Sequence, residues 1–374
     1  MKGAPRYGCS SAADDPHPFF TLIGPPIVIR VLIVDDSALV RKLLTEMLSR
    51  ESDIEVVGTA VDPYVARDKI VQLKPDVLTL DVEMPRMDGI SFLEKLMRHF
   101  PLPVVVLSSL TPKNSETAVR ALALGAVEVL AKPGSALTVG DISKDLVRAV
   151  RTAARARVQK RAPSRAPSDH PPVPFGPLRT TNKVLVIGAS TGGTRAIEDV
   201  LRGLPADIPG TVIVQHMPAA FTAPFALRLD NVCPQKVCEA KDGDAVVAGT
   251  VLIAPGDRHM LLERSGGRYH VRIKNGPPVH HQRPAVDVLF QSAAHSAGPN
   301  AVAVILTGMG ADGAAGMKQM RDAGAHCIAQ DEESCVVFGM PMEAIKAGAV
   351  DEILPLDRIP EGMMRAVQGL LVGT

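Results

Sequence analysis

From residue 28 onward, short apolar runs alternate with stretches of helical spacing. VIRVLIVDD reads as a buried strand that closes on two carboxylates, Asp35 and Asp36. Further candidate strands follow at IEVVGTA (54–60), DVLTLDV (76–82), LPVVVLSS (102–109) and AVEVLAKP (126–133), and the segments between them, such as ALVRKLLTEMLSR, carry helical periodicity. A βα repeat of this kind predicts an open parallel sheet, in which ligands sit beyond the carboxyl ends of the strands. The residues at those ends are Asp35, Asp36, Asp81, Ser108 and Lys132.

One or two carboxylates supply the hard oxygen ligands that Mg²⁺ prefers, with waters and a phosphoryl group completing its shell. Asp81 then serves as both ligand and nucleophile. Mg²⁺ and the Lys132 ammonium neutralise the transferred oxygens, and Ser108 hydrogen-bonds the product. Any one of these residues alone reads as a solvated strand-end acid or a turn residue; the five together at matching positions read as a phospho-switch.

The segments LIVDDS, LDVEMPRMDG, LSS and AKPG resemble those of the response-regulator receiver family, over about residues 29–150. The resemblance implies a flavodoxin-like fold, Asp81 as phospho-acceptor, Asp35, Asp36 and Asp81 as Mg²⁺ ligands, Ser108 and Lys132 as the switch pair, and a chemotaxis histidine kinase as phosphodonor. One position departs from the family pattern. Three residues before the lysine, where an aromatic is common, stands Val129.

After this unit the stretch RAVRTAARARVQKRAPSRAPSDHPPVPFGPLRTTN (148–182) turns from a basic helical tail into a run of Pro, Arg and Ser, and reads as a tether. Beyond it the apolar strand VLVIG (184–188) delivers Ser190 into GASTGG, a Gly-x-Ser-x-Gly turn between strand and helix. Two other readings stand beside a nucleophile: Ser190 or Thr191 as cap of the following helix, and a glycine-rich anion cradle. A dinucleotide site lacks its third glycine in register, and a P-loop lacks its Gly-Lys-Ser/Thr.

The next strand, IPGTVIVQHMP, ends in His216, and a third, AVAVILTGMGADG (301–313), ends in a glycine-rich turn bearing Asp312. A serine hydroxyl needs a base to take its proton, and a histidine needs a carboxylate to fix its tautomer. The chain order Ser, His, Asp differs from the Ser, Asp, His of α/β-hydrolases. The backbone N–H of Met309 is the expected oxyanion donor, and Thr191 lies beside the nucleophile.

IGASTGG, VQHMPAAFTAPFALRL, APGDRHM, RPAVDVLF, ILTGMGADGAAGM and AQDEESCVVFGMP together resemble the catalytic domain of the chemotaxis protein-glutamate methylesterase family, over residues 183 to about 360. The resemblance implies Ser190, His216 and Asp312 as the triad, hydrolysis of glutamate methyl esters on chemoreceptors, and deamidation of specific receptor glutamines. It implies a doubly wound parallel-sheet serine esterase domain with no cofactor for the esterase chemistry. The expected layout is a disordered extension over 1–28, a receiver over 29–150, a Pro/Arg-rich linker over 151–182 and a catalytic domain over 183–374. The alternative is a receiver coupled to a non-catalytic phosphate- or peptide-binding module.

A formal net charge of +1 leaves no basic excess for nucleic acid or an anionic membrane. A DNA-binding output is excluded on that balance and on the strand-rich pattern after residue 183. No apolar run approaches the length of a spanning helix, so a cytoplasmic chain without membrane insertion is expected. Cys9, Cys233, Cys238, Cys327 and Cys335 lack paired metal or redox spacing and read as reduced and structural. The pair His280 and His281 lacks zinc spacing and reads as loop surface or substrate rim. The 14 methionines read as core filler, and GMPMEAI (339–345) as a packed helix or a border of the active site.

Overall fold

The computed structural model describes residues 28–84, 88–109, 111–132, 139–158 and 182–369. The expected N-terminal extension, but for residue 28, and most of the Pro/Arg-rich linker lie outside the described residues. The first unit alternates strands β1 (Ile29–Val34), β2 (Ile54–Ala60), β3 (Val77–Asp81), β4 (Val104–Ser108) and β5 (Glu128–Ala131) with helices α1 (Ala38–Leu48), α2 (Pro63–Leu73), α3 (Gly89–His99), α4 (Pro112–Ala123) and α5 (Val139–Ala154). The sheet is parallel throughout, in the order β2-β1-β3-β4-β5. This is the flavodoxin-like arrangement expected from the sequence. Strands β3 and β4 are buried along their whole length because helices cover both faces. Helices start soon after strands because the loops end in caps: Asp62 Oδ1 accepts from the N–H groups of Tyr64 and Val65, each at 2.9 Å, ahead of Pro63 in the first turn.

The second unit contains β6 (Val184–Ala189), α6 (Gly193–Arg202), β7 (Thr211–Gln215), α7 (Ala219–Val232), β8 (Lys236–Glu239), β9 (Ala245–Val246), β10 (Thr250–Ile253), β11 (His259–Ser265), β12 (Arg268–Lys274), α8 (Val286–Ser296), β13 (Ala301–Ile305), α9 (Ala314–Asp322), β14 (His326–Gln330), α10 (Met340–Lys346), β15 (Glu352–Leu354) and α11 (Ile359–Gln368). Seven strands form a parallel sheet in the order β15-β14-β13-β6-β7-β10-β8. The chain enters at central β6, winds to one side through β7 and later crosses to β13 on the other. The carboxyl end of β6 therefore lies at the topological switch point, where such sheets form their crevice.

A small antiparallel sheet, β11-β12-β9, adds to this plan. Its inward positions Met260, Leu262, Tyr269 and Val271 are buried at period two, and it is tied to α8 by Leu262 N–H donating to Ser292 Oγ at 2.9 Å. Among the described residues no helix is long and apolar enough to cross a membrane.

The two units pack directly. Leu122 and Val129 of the first join Met217 and Phe221 of the second in one buried apolar cluster. Helix α5 runs to Ala154, and the chain just beyond it is held by the second unit: Arg157 N–H donates to the Val336 carbonyl at 2.9 Å, and its guanidinium pairs with Glu332 at 2.7 Å.

Candidate active site

In the first unit, Asp35, Asp36, Asp81, Ser108 and Lys132 all stand at the carboxyl edge of the sheet. Asp35 and Asp81 are fully buried, and Lys132 Nζ lies 3.3 Å from Asp35 Oδ2 and 2.5 Å from Asp81 Oδ2. Burial pushes both carboxyl groups up from their ordinary range, against the opposing pull of Lys132. One oxygen of each of Asp35, Asp36 and Asp81 falls within a 4.8 Å cluster. Three converging hard oxygens, two of them buried and short of positive charge, suit a small divalent cation such as Mg²⁺. Ser108 is buried, but its hydroxyl donates towards the carbonyls of Ser109 and Asn114, each at 3.3 Å. Its neighbour Ser109 bonds Glu83 instead, through its N–H at 2.9 Å and its hydroxyl at 2.8 Å.

In the second unit, the ends of three adjacent strands bring Ser190, His216 and Asp312 together. Ala189 of β6 is in register with Gln215 of β7, so Ser190 and His216 leave neighbouring strands side by side. Ser190 N–H donates to the Thr307 carbonyl at 3.0 Å, which locks its turn to the end of β13. Gly192, at φ +78°, caps α6 without a side-chain bond, so neither Ser190 nor Thr191 serves as the helix cap. A side chain at Gly308 would put its Cβ 2.6 Å from Ser190 Cβ; only glycine lets this loop pass so close to the serine.

His216 Nε2 lies 2.7 Å from Asp312 Oδ2. The same oxygen accepts from Val286 N–H at 2.7 Å, and Oδ1 accepts from Asp287 N–H at 2.9 Å. Asp312 thus sits on the first N–H groups of α8, where the helix dipole favours an anion. Burial alone would raise its carboxyl, but His216 and these two N–H groups outweigh it and hold Asp312 below the usual carboxylate range. With Nε2 bonded to Asp312, Nδ1 is the other ring nitrogen. It is buried and has no protein partner among the described residues.

Ser190, Thr191 and His216 line a cleft of about 520 Å³ whose other wall is the first unit, through Leu122, Glu128, Val129 and Arg148. Glu128 is 17% exposed and pairs with Arg148 at 2.7 Å; burial pushes its carboxyl up. The Thr152 hydroxyl of α5 lies 2.7 Å from the Met309 sulfur, so the loop expected to supply an oxyanion donor is also touched by the first unit. His281 lines the cleft, whereas His280 turns to Asp287 at 3.0 Å. Cys233, Cys238, Cys327 and Cys335 are free thiols, and burial pushes Cys233, Cys327 and Cys335 up to about 12, the wrong direction for a reactive thiolate. Cys9 lies outside the described residues.

Several residues that shape the site gave no sequence signal. Gln215 donates to the Ser190 carbonyl at 2.8 Å. Thr307 donates to the Thr191 carbonyl at 3.0 Å and accepts from Val337 N–H at 3.0 Å. GMPMEAI begins packed helix α10, and Met340 N–H bonds the carbonyl of Gly308, the glycine that passes close to Ser190, at 2.8 Å. Only the position of Gln215 before His216 could have drawn attention.

A receiver-type sheet with a buried acid cluster, joined to a parallel-sheet domain that gathers Ser, His and Asp at its switch point, is the build of a two-domain response regulator with a hydrolase-type output. Comparison with known proteins makes this particular. Residues 31–141 match the response regulator receiver domain and residues 185–363 match CheB methylesterase. The protein-glutamate methylesterase/protein-glutamine glutaminase 2 of Syntrophus aciditrophicus is 58% identical over 91% of this chain and 99% of its own length. The corresponding enzyme 4 of Anaeromyxobacter dehalogenans is 57% identical over 91% of this chain and 95% of its own. The crystal structure of the Thermotoga maritima CheB methylesterase catalytic domain is 42% identical, covers 50% of this chain and 99% of that one, and gives a TM-score of 0.49. The chain belongs to the CheB methylesterase family.

Proposed function

We propose that this chain is a phosphorylation-activated chemotaxis methylesterase that hydrolyses glutamate γ-methyl esters on chemoreceptors and deamidates specific receptor glutamines. Ser190 Oγ attacks the ester carbonyl while His216 takes its proton at Nδ1, and the imidazolium is stabilised by Asp312 across Nε2. His216 then returns the proton to the departing methanol, and water hydrolyses the acyl-enzyme with the same base. An amide differs only in that ammonia leaves. The Met309 N–H is the proposed oxyanion donor, and Thr191, beside the nucleophile in the chain, has its carbonyl held by the Thr307 hydroxyl.

In the receiver, Asp81 accepts the phosphoryl group from a chemotaxis histidine kinase, and Asp35, Asp36 and Asp81 are the residues that would hold Mg²⁺. The cation supplies charge neutralisation for the phosphoryl oxygens. Ser108 and Lys132 are the switch pair that reads the new group. The receiver's α4–β5–α5 face walls the cleft, so a shift of Ser108 and α4 on phosphorylation favours an arrangement open to a receptor helix. The observation that carries this reading is the His216–Asp312 bond beside Ser190 in a cleft closed by the receiver.

The test is methanol release from methylated receptor membranes by the full-length protein, with and without Mg²⁺ and acetyl phosphate, with Ser190→Ala as control. Release that rises with the phosphodonor and vanishes in the variant supports the reading. No release, with labelled phosphate still loading Asp81, moves the assignment to a binding module.

A further inference from the structure

Asp312 is placed by the first turn of α8, and that turn is itself tied down by a second buried carboxylate. Asp287 is 2% exposed. Its Oδ1 accepts from Gly316 N–H in α9 at 2.6 Å, and its Oδ2 is met by His280 Nε2 at 3.0 Å. The backbone N–H of the same residue donates to Asp312 Oδ1. Asp287 thus grips the expected triad carboxylate with its main chain while its side chain is anchored on both sides.

The anchor on one side costs the backbone something. His280 and His281 sit at φ +50° and +61°, in a closed turn where Val279 N–H bonds the Gln282 carbonyl at 3.0 Å and Gln282 N–H returns to Val279 at 2.8 Å. Such turns ordinarily use Asn and Gly, because left-handed backbone crowds a larger side chain. Strain of this kind persists where the surroundings over-determine it, and the bond to Asp287 is what the His280 side chain gains. The turn continues into Gln282 and Arg283, which line the cleft beside His281.

We propose that His280 is a positioning residue for the esterase reaction: through Asp287 it fixes the start of α8, and so the carboxylate that orients His216, to the rim of the substrate cleft. Two adjacent buried carboxylates repel, and a donor on the outer one keeps the inner one in place. The inference rests on the reading of Ser190, His216 and Asp312 as a triad.

His280→Asn tests it in the full-length protein, because asparagine tolerates the left-handed turn but lacks the reach of the ring. The expected result is a kcat for methanol release about tenfold lower, with KM within about twofold, since a displaced general base costs rate rather than substrate affinity. Asp287→Asn, which still offers an acceptor to Gly316 and a hydrogen-bonding group to His280, should retain more activity than Asp287→Ala. Adding His280→Asn to Asp287→Ala should cause no further loss. A readout independent of turnover accompanies these: amide hydrogen exchange at Val286 and Asp287 should quicken about tenfold in His280→Asn. Unchanged exchange at both amides overturns the proposal, as does a loss confined to KM. A parent protein that releases no methanol would instead count against the triad reading, and the exchange result would still decide whether His280 holds α8.

Discussion

In the receiver, Asp35 and Asp81 are fully buried, share the Lys132 ammonium and accept one backbone N–H each, from Ser37 and Glu83, and burial still leaves both carboxyl groups raised. In the catalytic domain Asp312 is 2% exposed, yet His216 and two helix N–H groups hold it below the ordinary range. Both sites lie at the carboxyl ends of parallel strands, so position in the fold does not explain the difference. Fixed dipoles do. A carboxylate surrounded by preorganised donors is ready to support a proton transfer; one short of positive charge favours an exchangeable cation and a transferable phosphoryl group.

The comparison breaks most decisively at the nucleophile. Ser190→Ala should lower methanol release at least about 10³-fold while leaving labelled phosphate on Asp81. Release that survived would place the chemistry elsewhere.

Asp312→Asn should cost about 10³-fold in kcat, because the imidazole loses the partner that sets its tautomer. It also carries a signature in stability. The folded pKa of Asp312 is depressed, so its contribution is present above the unfolded carboxyl value and is lost as pH falls through the folded one. Urea denaturation should therefore show a parent advantage of about 2 kcal/mol at neutral pH that narrows below about pH 4.

Asp81→Asn should show the opposite sign. The folded pKa of Asp81 is raised, so the stability it contributes is present below the unfolded value and lost as pH rises through the folded one. Without Mg²⁺ the variant should melt a few degrees higher than the parent at neutral pH, a gap that closes on acidification. Added Mg²⁺ should raise the parent midpoint more than the variant's, and stimulation by acetyl phosphate should disappear. Equal pH dependence in the Asp312 and Asp81 variants would dissolve the contrast.

The smallest effect concerns the wall between the two sites. Arg148→Ala leaves Glu128 without its ion-pair partner at the domain contact, and basal methanol release should rise about threefold as the closed arrangement loses ground.

Much of this was legible in the chain. Strands β1 and β3 to β5 announce themselves as apolar runs because both faces of a parallel sheet are covered, and the residue at each strand's end follows from the run's length. The same reasoning placed Ser190, His216 and Asp312 on one edge of the second sheet. The β11-β12-β9 sheet leaves little trace in the sequence because HMLLERS and RYHVRIK mix charge into a short alternation. His280 read as loop or rim because nothing local to it reveals Asp287, seven residues on.

By itself, then, the sequence determined the receiver strands, the three strands that lead to Ser190, His216 and Asp312, and the order of the two domains, since these depend on local periodicity and on the handedness of βα crossovers. Tertiary structure alone decided that Asp312 rests on α8, that Gln215 and Thr307 tie the serine turn to its neighbours, and that the receiver closes the cleft. One such contact joins Thr152 to Met309, 157 positions apart. These contacts are set by the packing of one element against another, which leaves no periodic trace along the chain.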